Sequence, residues 1–489
     1  MLRVAILRGL AIVGSVGAGG CVVGPNYHPA SANAPGAWSS PVPDGLTSNA
    51  TAPVSWWASF NEVELDSLIQ RATQSNSDLR VAEARLRQAR AVRGGSVADL
   101  RPALTASGSA ARAKQSENQP FFGALPLPPS FPFEYSVYQV GFDASWELDL
   151  FGGRRRALEA ATAEWEGAIE ARNDAMVSLL AEVARNYVEL RGTQQRLEIA
   201  RRNLKLQEEV LELTRARLQA GMATELDVTR TAALRAGMLA AIPPLETVER
   251  TAMYGLAVLL GRPPGELVVE LSAFSALPHP PSEVPIGLPS DLLRRRPDVR
   301  RAERQLAAET ARIGVAKSDW FPKISLTGDA GAESVSVSKW FEPGSRFWSI
   351  GPNVQWNALD FGRVRAQVHA QTAVQEVALA TYQKTVLLSL QEAENAVVAY
   401  AHEQNRHQAL AEAVNENRHS LELANGLYQS GRVNFLDVLD ARRSLYQSED
   451  QLALSDQSVS LNLIVLYKAL GGGWETLPQA PVLATAAPP

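Results

Sequence analysis

A seven-residue pattern of mostly apolar side chains runs through two long stretches of the chain. The first series is Ile169, Met176, Val183, Leu190, Leu197, Leu204, Leu211 and Leu218. The second series is Leu379, Val386, Ala393, Tyr400, His407, Val414, Leu421 and Tyr428. A heptad pattern of this length predicts very long helices that pack as coiled coils. Residues 154–242 and 362–471 contain no proline, so each stretch can remain helical throughout.

Shorter segments outside these stretches alternate apolar and polar residues with a period of two. Residues 138–147 alternate Tyr, Val, Phe, Ala and Trp with Gln, Gly, Asp, Ser and Glu, and residues 348–357 repeat that scheme. Residues 103–114 and 323–334 alternate less strictly. Segments of about ten residues with one apolar face and terminal tryptophans are typical of transmembrane β-strands. A half-buried sheet in a soluble protein has the same period, so the period alone leaves both interpretations open.

The predicted elements occur twice in the same order. Residues 298–303 repeat residues 78–83 after 220 positions, and residues 430–438 repeat residues 220–228 after 210 positions. The first repeat therefore has a loop that is ten residues longer. Shared order and spacing over several landmarks indicate an internal duplication of a strand-strand-long-helix unit.

This duplication predicts the domain organisation. We expect a lipoprotein signal peptide at residues 1–20, a lipid-anchored segment at 21–60, a first repeat at 61–275, a proline-rich linker at 276–289, a second repeat at 290–473 and a C-terminal tail at 474–489.

The first residues predict export from the cytoplasm. Arg3 and Arg8 precede a small and apolar run that ends at Gly20, as in a secretory signal peptide. Cys21 is the only cysteine, so no disulfide can form within the chain, and its position after the small residues predicts lipidation. The formal net charge of −5 provides no strongly basic face for nucleic acid.

Each long helix is predicted to end in a tight reversal. Gly221 and Gly431 suit the left-handed conformation that closes a helix. Thr224 and Asn434 are good N-caps for the next helix, and Asp227 and Asp437 follow them at the capping-box spacing. The chain therefore carries two helical hairpins whose tips could be gripped by another protein.

Four strands are too few to close a transmembrane barrel, because bacterial barrels start at about eight strands. An open sheet edge in hydrocarbon leaves backbone groups unpaired at several kcal/mol each. We therefore expect an α+β membrane protein in which three protomers supply twelve strands and the helices form a tube. The loops at residues 115–133 and 335–346 are expected to face outside the cell.

Two further motifs resemble a known family. Residues 21–27 (CVVGPNY) and 295–303 (RRPDVRRAE) are similar to the start and the mid-chain signature of the outer-membrane factor family, which is TolC-like, in its OprM/NodT efflux lipoprotein branch. The resemblance covers nearly the whole mature chain. It implies a homotrimer with a 12-stranded outer-membrane β-barrel and a long periplasmic α-helical barrel. It also implies a belt from residues 45–75, 262–292 and the C-terminus, and partners in a periplasmic adaptor and an inner-membrane RND-type pump.

The resemblance also implies a periplasmic gate just after the second hairpin, where Leu436, Asp440 and Arg443 occupy the matching positions. Three copies of Leu436 would form a dry constriction, and three copies of Asp440 a negative ring. Asp440 and Arg443 are also three residues apart on a helix, so an ordinary exposed ion pair is the alternative. Position 230 in the first repeat is arginine, which limits the ring to the second repeat.

No enzymatic site is expected. His402 and His407 are five residues apart, one more than the four that place two zinc ligands on one helix face, so we expect no metal or other cofactor. Two alternatives to an efflux channel remain. A periplasmic adaptor protein would carry one hairpin flanked by small β domains, and a TolC-type duct could serve protein secretion instead.

Overall fold

The computed structural model describes residues 22–29, 35–39, 45–48, 53–116, 133–278, 280–281 and 283–476. The predicted signal peptide, the lipidation site Cys21 and most of the predicted loop at 115–133 lie outside these residues. Among the described residues, no helix combines the length and the apolar content needed to cross a lipid bilayer.

Helices make up most of the described chain. In chain order they are α1 Val63–Ser75, α2 Ser77–Ala98, α3 Gly153–Gln219, α4 Glu225–Leu259, α5 Val268–Leu271, α6 Pro289–Arg295, α7 Pro297–Ser318, α8 Arg363–Gln429 and α9 Phe435–Ala469. Short 3-10 turns lie at Trp56–Phe60, Val337–Lys339, Pro343–Ser345 and Trp474–Thr476. The helices α3 and α8 each contain 67 residues, which corresponds to roughly 100 Å of helix.

The strands are β1 Leu46–Thr47, β2 Ala103–Lys114, β3 Glu134–Glu147, β4 Val284–Pro285, β5 Lys323–Ser334 and β6 Arg346–Gln355. The chain divides into two compact units, each with segments from both repeats. The sheet unit contains the described residues up to 29, 87–166 and 303–381, and the helical unit contains the rest.

The sheet unit contains one antiparallel sheet in the order β2-β3-β5-β6. The predicted bounds of β2 and β5 are confirmed. The predicted start of β3 at residue 138 is wrong, because pairing with β2 extends it back to Glu134 opposite Lys114. The predicted bounds of β6 are two residues too late, since Arg346 already pairs with Ala332 and the last pair is Gln355 with Lys323.

The two faces of this sheet differ in polarity, as the period of two predicts. Trp348, Ile350 and Val354 lie on one face and remain 62–75% exposed. The other face carries Asp143 and Asp329, which lie directly opposite each other on β3 and β5. Large exposed apolar patches mark sites of protein or membrane contact, so this face of the sheet is a candidate for such a contact.

The helical unit has its own hydrophobic core. Residues from the middle of the long helices, among them Val183, Tyr187 and Leu463, are fully buried there. The segments expected to form a belt contribute Leu46, Leu65, Leu68, Leu271, Val284 and Leu292 to the same core. Strands β1 and β4 pair in parallel within this unit and join the two segments.

The predicted heptad series lies mostly on the buried side of α3 and α8. Met176, Val183, Leu190, Leu197, Leu211, Val386, Ala393, Tyr400 and Val414 are buried. Leu218, the last member of the first series, is 37% exposed because it lies at the end of α3, where the chain reverses. These buried heptad residues form a seam that extends along both helices and ends at the hairpin tips.

Candidate functional site

Both long helices end in a Schellman motif, in which a left-handed residue lets two backbone N–H groups return to the last turn. At the end of α3 the N–H groups of Gly221 and Met222 donate to the carbonyls of Leu218 and Arg217, at 2.9 and 2.8 Å. Gly221 has a φ of 73°, a value that only glycine adopts without strain. The end of α8 repeats this geometry at Gly431, whose φ is 72°.

Both following helices begin with the predicted capping box. The Thr224 hydroxyl accepts a hydrogen bond from the N–H of Asp227 at 3.2 Å, and the Asp227 carboxylate accepts from the N–H of Thr224 at 2.9 Å. Asn434 and Asp437 form the same pair of bonds at 3.2 and 3.1 Å. The local chemistry predicted for both hairpin tips is confirmed.

The backbone and hydroxyl donors of Thr224 hold the pKa of Asp227 below its usual value. Hydrogen bonds to the charged carboxylate favour ionisation, and the exposed position leaves little desolvation to oppose them. The stabilisation of the first tip is therefore fully present above the unfolded pKa of about 3.9. It is lost as the pH falls through the lower folded pKa.

Removing one cap tests how far these bonds hold a tip closed. Thr224→Ala is expected to cost about 1 kcal/mol. Backbone amides at 222–230 should then exchange hydrogen about five-fold faster through local opening. Hydrogen–deuterium exchange with mass spectrometry measures this, and the intact tip at 432–440 is the control within the same molecule. Equal exchange at both tips would contradict the prediction.

A contact that the sequence analysis missed joins the two hairpins. Arg217, near the end of α3, donates to the Tyr428 hydroxyl near the end of α8. The same guanidinium lies over the Tyr428 ring, with its central carbon 5.1 Å from the ring centroid. Tyr428 also packs on Phe435 at the start of α9, at 5.4 Å between centroids. The heptad series includes Tyr428, but no sequence signal pairs it with an arginine 211 positions away.

A cavity of about 370 Å³ lies between the two tips. It brings together several of the predicted site residues, and its lining includes Met222, Asp227, Arg230, Asn434 and Leu436. Leu436 is 37% exposed. The two tips therefore form one continuous surface within the protomer.

The other two predicted gate residues, Asp440 and Arg443, lie about one and two turns further along α9. Arg443 and Asp440 approach to 3.4 Å, and their side chains are 54% and 56% exposed. A pair this exposed is worth less than about 1 kcal/mol, because water screens both charges. Within one protomer the contact is an ordinary surface pair.

The histidine pattern that resembled a zinc motif has another explanation. The His407 ring nitrogen Nε2 lies 2.6 Å from a carboxylate oxygen of Asp456 on α9. Both residues line a cavity of about 560 Å³, whose other lining residues include Phe274, Leu277 and Val459. Among the described residues, no group of three or more His, Cys, Asp and Glu side chains could hold a metal ion.

A duplicated pair of long helical hairpins attached to a four-stranded amphipathic sheet defines a class of envelope channel proteins. The outer membrane efflux protein family matches residues 68–262 and 288–472. Nodulation protein T of Rhizobium leguminosarum bv. trifolii is 33% identical over 462 residues, which is 94% of this chain and 96% of that protein. Pyoverdine export outer membrane protein OpmQ of Pseudomonas aeruginosa is 33% identical over 424 residues, 86% of this chain and 88% of that one.

The fold is similar to that of a solved channel. The structure of the outer-membrane channel OprN superposes with a TM-score of 0.86 at 38% identity, over 93% of this chain and all of that chain. The chain belongs to the outer membrane efflux protein family. It is an efflux channel of the outer membrane, in the branch predicted from residues 21–27 and 295–303.

Proposed function

We propose that three copies of the chain assemble into a passive exit duct for drugs or other small molecules. The duct consists of a 12-stranded β-barrel in the outer membrane and a helical barrel that extends into the periplasm. Cys21 carries acyl chains that anchor each protomer in the membrane. The hairpin tips around Gly221 and Gly431 dock a periplasmic adaptor, which links the duct to an inner-membrane RND-type pump.

One observation carries this proposal. The sheet has an apolar face that is exposed in the isolated protomer, and its outer strands β2 and β6 have no further neighbour among the described residues. Lipid suits the apolar face, but each unpaired N–H and C=O group at a strand edge costs several kcal/mol in hydrocarbon. Neighbouring protomers remove this cost when their edges pair.

The assembly is tested by extracting the full-length protein from outer membranes with a mild detergent. Unheated samples in SDS electrophoresis should migrate as a trimer, and boiled samples as the monomer. A polypeptide that is monomeric in detergent, by electrophoresis and by native mass spectrometry, would contradict the proposal. A periplasmic adaptor protein, the rival interpretation, would not give a heat-modifiable trimer.

The second rival, a duct for secreted proteins, is tested by the partners. Co-purification of the tagged channel from crosslinked cells should recover an adaptor and an RND-type pump. Recovery of a secretion ATPase in their place would favour protein export. The words pyoverdine and nodulation in the names of two relatives apply to those proteins. They support small-molecule cargo for this chain only because it belongs to the same family.

The proposed gate predicts a conductance change. In a trimer, three copies of Asp440 would approach one axis and restrict the resting pore to a narrow, negatively charged ring. We expect Asp440→Ala to raise the resting conductance of single channels in a planar bilayer. Glu212→Ala is the matched control, because Glu212 forms an exposed pair with Arg215, also three residues away on a helix. Equal conductance of Asp440→Ala and wild type would favour the ordinary surface pair.

A further inference from the structure

A cavity of about 330 Å³ lies between the two helical hairpins, separate from the one at their tips. Its lining residues come from α3, α4, α8 and α9, all within the helical unit. Three of them are arginines, namely Arg202 of α3, Arg418 of α8 and Arg442 of α9. Glu449 is the one carboxylate among the described lining residues, so the lining has a formal excess of two positive charges.

Two of the arginines already share this carboxylate. A nitrogen of Arg202 lies 3.2 Å from one Glu449 oxygen, and a nitrogen of Arg418 lies 3.5 Å from the other. The Asn203 side chain also donates to Glu449, at 3.5 Å. Both oxygens of Glu449 therefore face residues other than Arg442.

The third arginine, Arg442, lacks a comparable partner. Its Nε is buried and has no hydrogen-bond partner among the described residues. Burial lowers the pKa of Arg442, and the attraction of Glu209 opposes this effect only in part. Removing a cation from water without a partner costs free energy, so buried charges in proteins are usually paired. An anion beside Arg442 would supply the missing partner.

Other arginines with a buried, unbonded Nε differ from Arg442 in this respect. Arg71, Arg172 and Arg191 each donate through a terminal nitrogen to a side-chain oxygen. The Arg442 side chain forms no such bond with any residue that the structure describes. Among these four arginines, Arg442 is the one whose charge remains uncompensated by a direct contact.

We propose that this cavity is a binding site for a small oxyanion, such as inorganic phosphate or sulfate. The anion lies against Arg442 and accepts further hydrogen bonds from Arg418 and Arg202. Guanidinium groups suit this ligand, because their planar set of N–H donors matches the oxygens of phosphate and sulfate. A cavity of about 330 Å³ holds such an ion together with several water molecules.

The bound anion joins the two hairpins. Arg202 belongs to the first hairpin, whereas Arg418 and Arg442 belong to the second. An anion that accepts hydrogen bonds from both hairpins stabilises the folded arrangement by mass action, and the effect grows with its concentration. All of these residues belong to one protomer, so the site does not depend on the proposed trimer.

Isothermal titration calorimetry of the full-length channel in detergent measures the binding of inorganic phosphate directly. Chloride keeps the ionic strength constant, so the screening of surface charges does not change during the titration. We expect saturable binding of one phosphate per protomer. Sulfate should compete with phosphate for the same site.

Substitutions of the arginines locate the bound anion. Arg442→Gln should weaken phosphate binding about ten-fold or more, because it removes charge-assisted hydrogen bonds. Arg418→Gln, at a position that is 52% exposed, should weaken binding in the same direction. The matched control is Arg201→Gln. Arg201 precedes Arg202, is 54% exposed and pairs with Glu246 outside the cavity, so the affinity should change less than about two-fold.

Thermal unfolding distinguishes a binding role of Arg442 from a purely structural one. Without phosphate, Arg442→Gln should be at least as stable as the wild type, because it removes a buried charge that has no partner. With phosphate, the unfolding midpoint should rise more for the wild type than for this variant. General effects of phosphate on the solvent raise both midpoints and cancel in the comparison.

Three results would overturn the inference. Phosphate does not bind saturably, or both Arg442→Gln and Arg418→Gln bind it with the affinity of the wild type, which places the anion elsewhere. Alternatively, Arg442→Gln is less stable than the wild type without phosphate, which means that the arginine already has its partners. None of these results bears on the proposed duct, which is tested by the trimer in SDS electrophoresis.

Discussion

Replacing Arg191 with methionine is expected to destabilise the helical unit by about 3 kcal/mol, because it removes one partner from a buried charged network. The Arg191 side chain is 2% exposed and forms an ion pair with Glu64 of α1. It also donates to the Gln194 side chain at 2.7 Å and to the Ala273 carbonyl at 2.8 Å. Its guanidinium lies 5.1 Å from the Tyr187 ring centroid. Methionine fills similar space but leaves these acceptors without their donor.

Urea unfolding followed by tryptophan fluorescence measures this change, because Trp56 is buried in the same core. Arg191→Lys retains the charge but loses the planar fork that reaches several acceptors, so an intermediate midpoint is expected. The control is Arg185→Met on the same helix. Arg185 is 47% exposed and pairs with Glu182 and Glu189, so its loss should cost less than about 1 kcal/mol. Equal midpoints for Arg191→Met and Arg185→Met would contradict the prediction.

Features with a local or periodic cause could be predicted from the sequence. The heptad spacing identified the seam from Met176 to Leu211, because a residue every two turns stays on one helix face. The tips were equally predictable. Gly221 and Thr224 act through bonds to residues at most five positions away, so the chain itself contains all the partners.

Contacts between distant side chains could not be predicted in this way. Arg217 meets Tyr428, and Arg191 meets Glu64, only because the folded helices bring them together. A long flexible cation has many possible partners, and no spacing rule selects one. The ends of strands can be predicted from the sequence only in part. The extra turn-side residues of β3 were missed because Glu134 is ordered by its partner Lys114, whereas the alternation of polarity begins later.

Comparing corresponding residues of the two repeats distinguishes burial that follows from the repeat's own sequence from burial that depends on neighbouring elements. Helices α2 and α7 have related sequences and equal lengths of 22 residues. In the sheet unit, Ala307 and Ala308 of α7 are buried by the chain itself. The corresponding residues of α2, Arg87 and Gln88, are exposed. The difference arises because α7 packs beside α3 of the first repeat, whereas no earlier repeat precedes α2 among the described residues.

A trimer in which the second repeat of one protomer lies beside the first repeat of the next predicts a charge-rescue experiment at Val92 and Val374. These residues are 55% and 45% exposed and correspond to Arg312 and Glu164 at the repeat offsets of 220 and 210. Val92→Arg alone places a charge against valine in a contact that excludes water, and an unpaired buried charge costs several kcal/mol. The detergent-resistant trimer should then dissociate at a lower temperature. Val374→Glu alone should act in the same direction. The double variant recreates the Arg312 and Glu164 pair found within the chain, so it should recover much of the lost stability.

The sign of the coupling distinguishes an interface from two independent surface positions. Residues in contact give a coupling free energy of about 0.5–3 kcal/mol in a double-mutant cycle, whereas distant residues are additive. Val92→Arg with Leu387→Glu is the control, because Leu387 is exposed on the same helix but lies 13 residues beyond Val374, roughly 20 Å away. The trimer-to-monomer midpoint on unheated SDS gels at increasing temperature gives all the values. Rescue by Val374→Glu without rescue by Leu387→Glu indicates that Val92 and Val374 are in contact, and because the measured quantity is the trimer-to-monomer midpoint, it places that contact between protomers. Additivity in both cycles would contradict that contact.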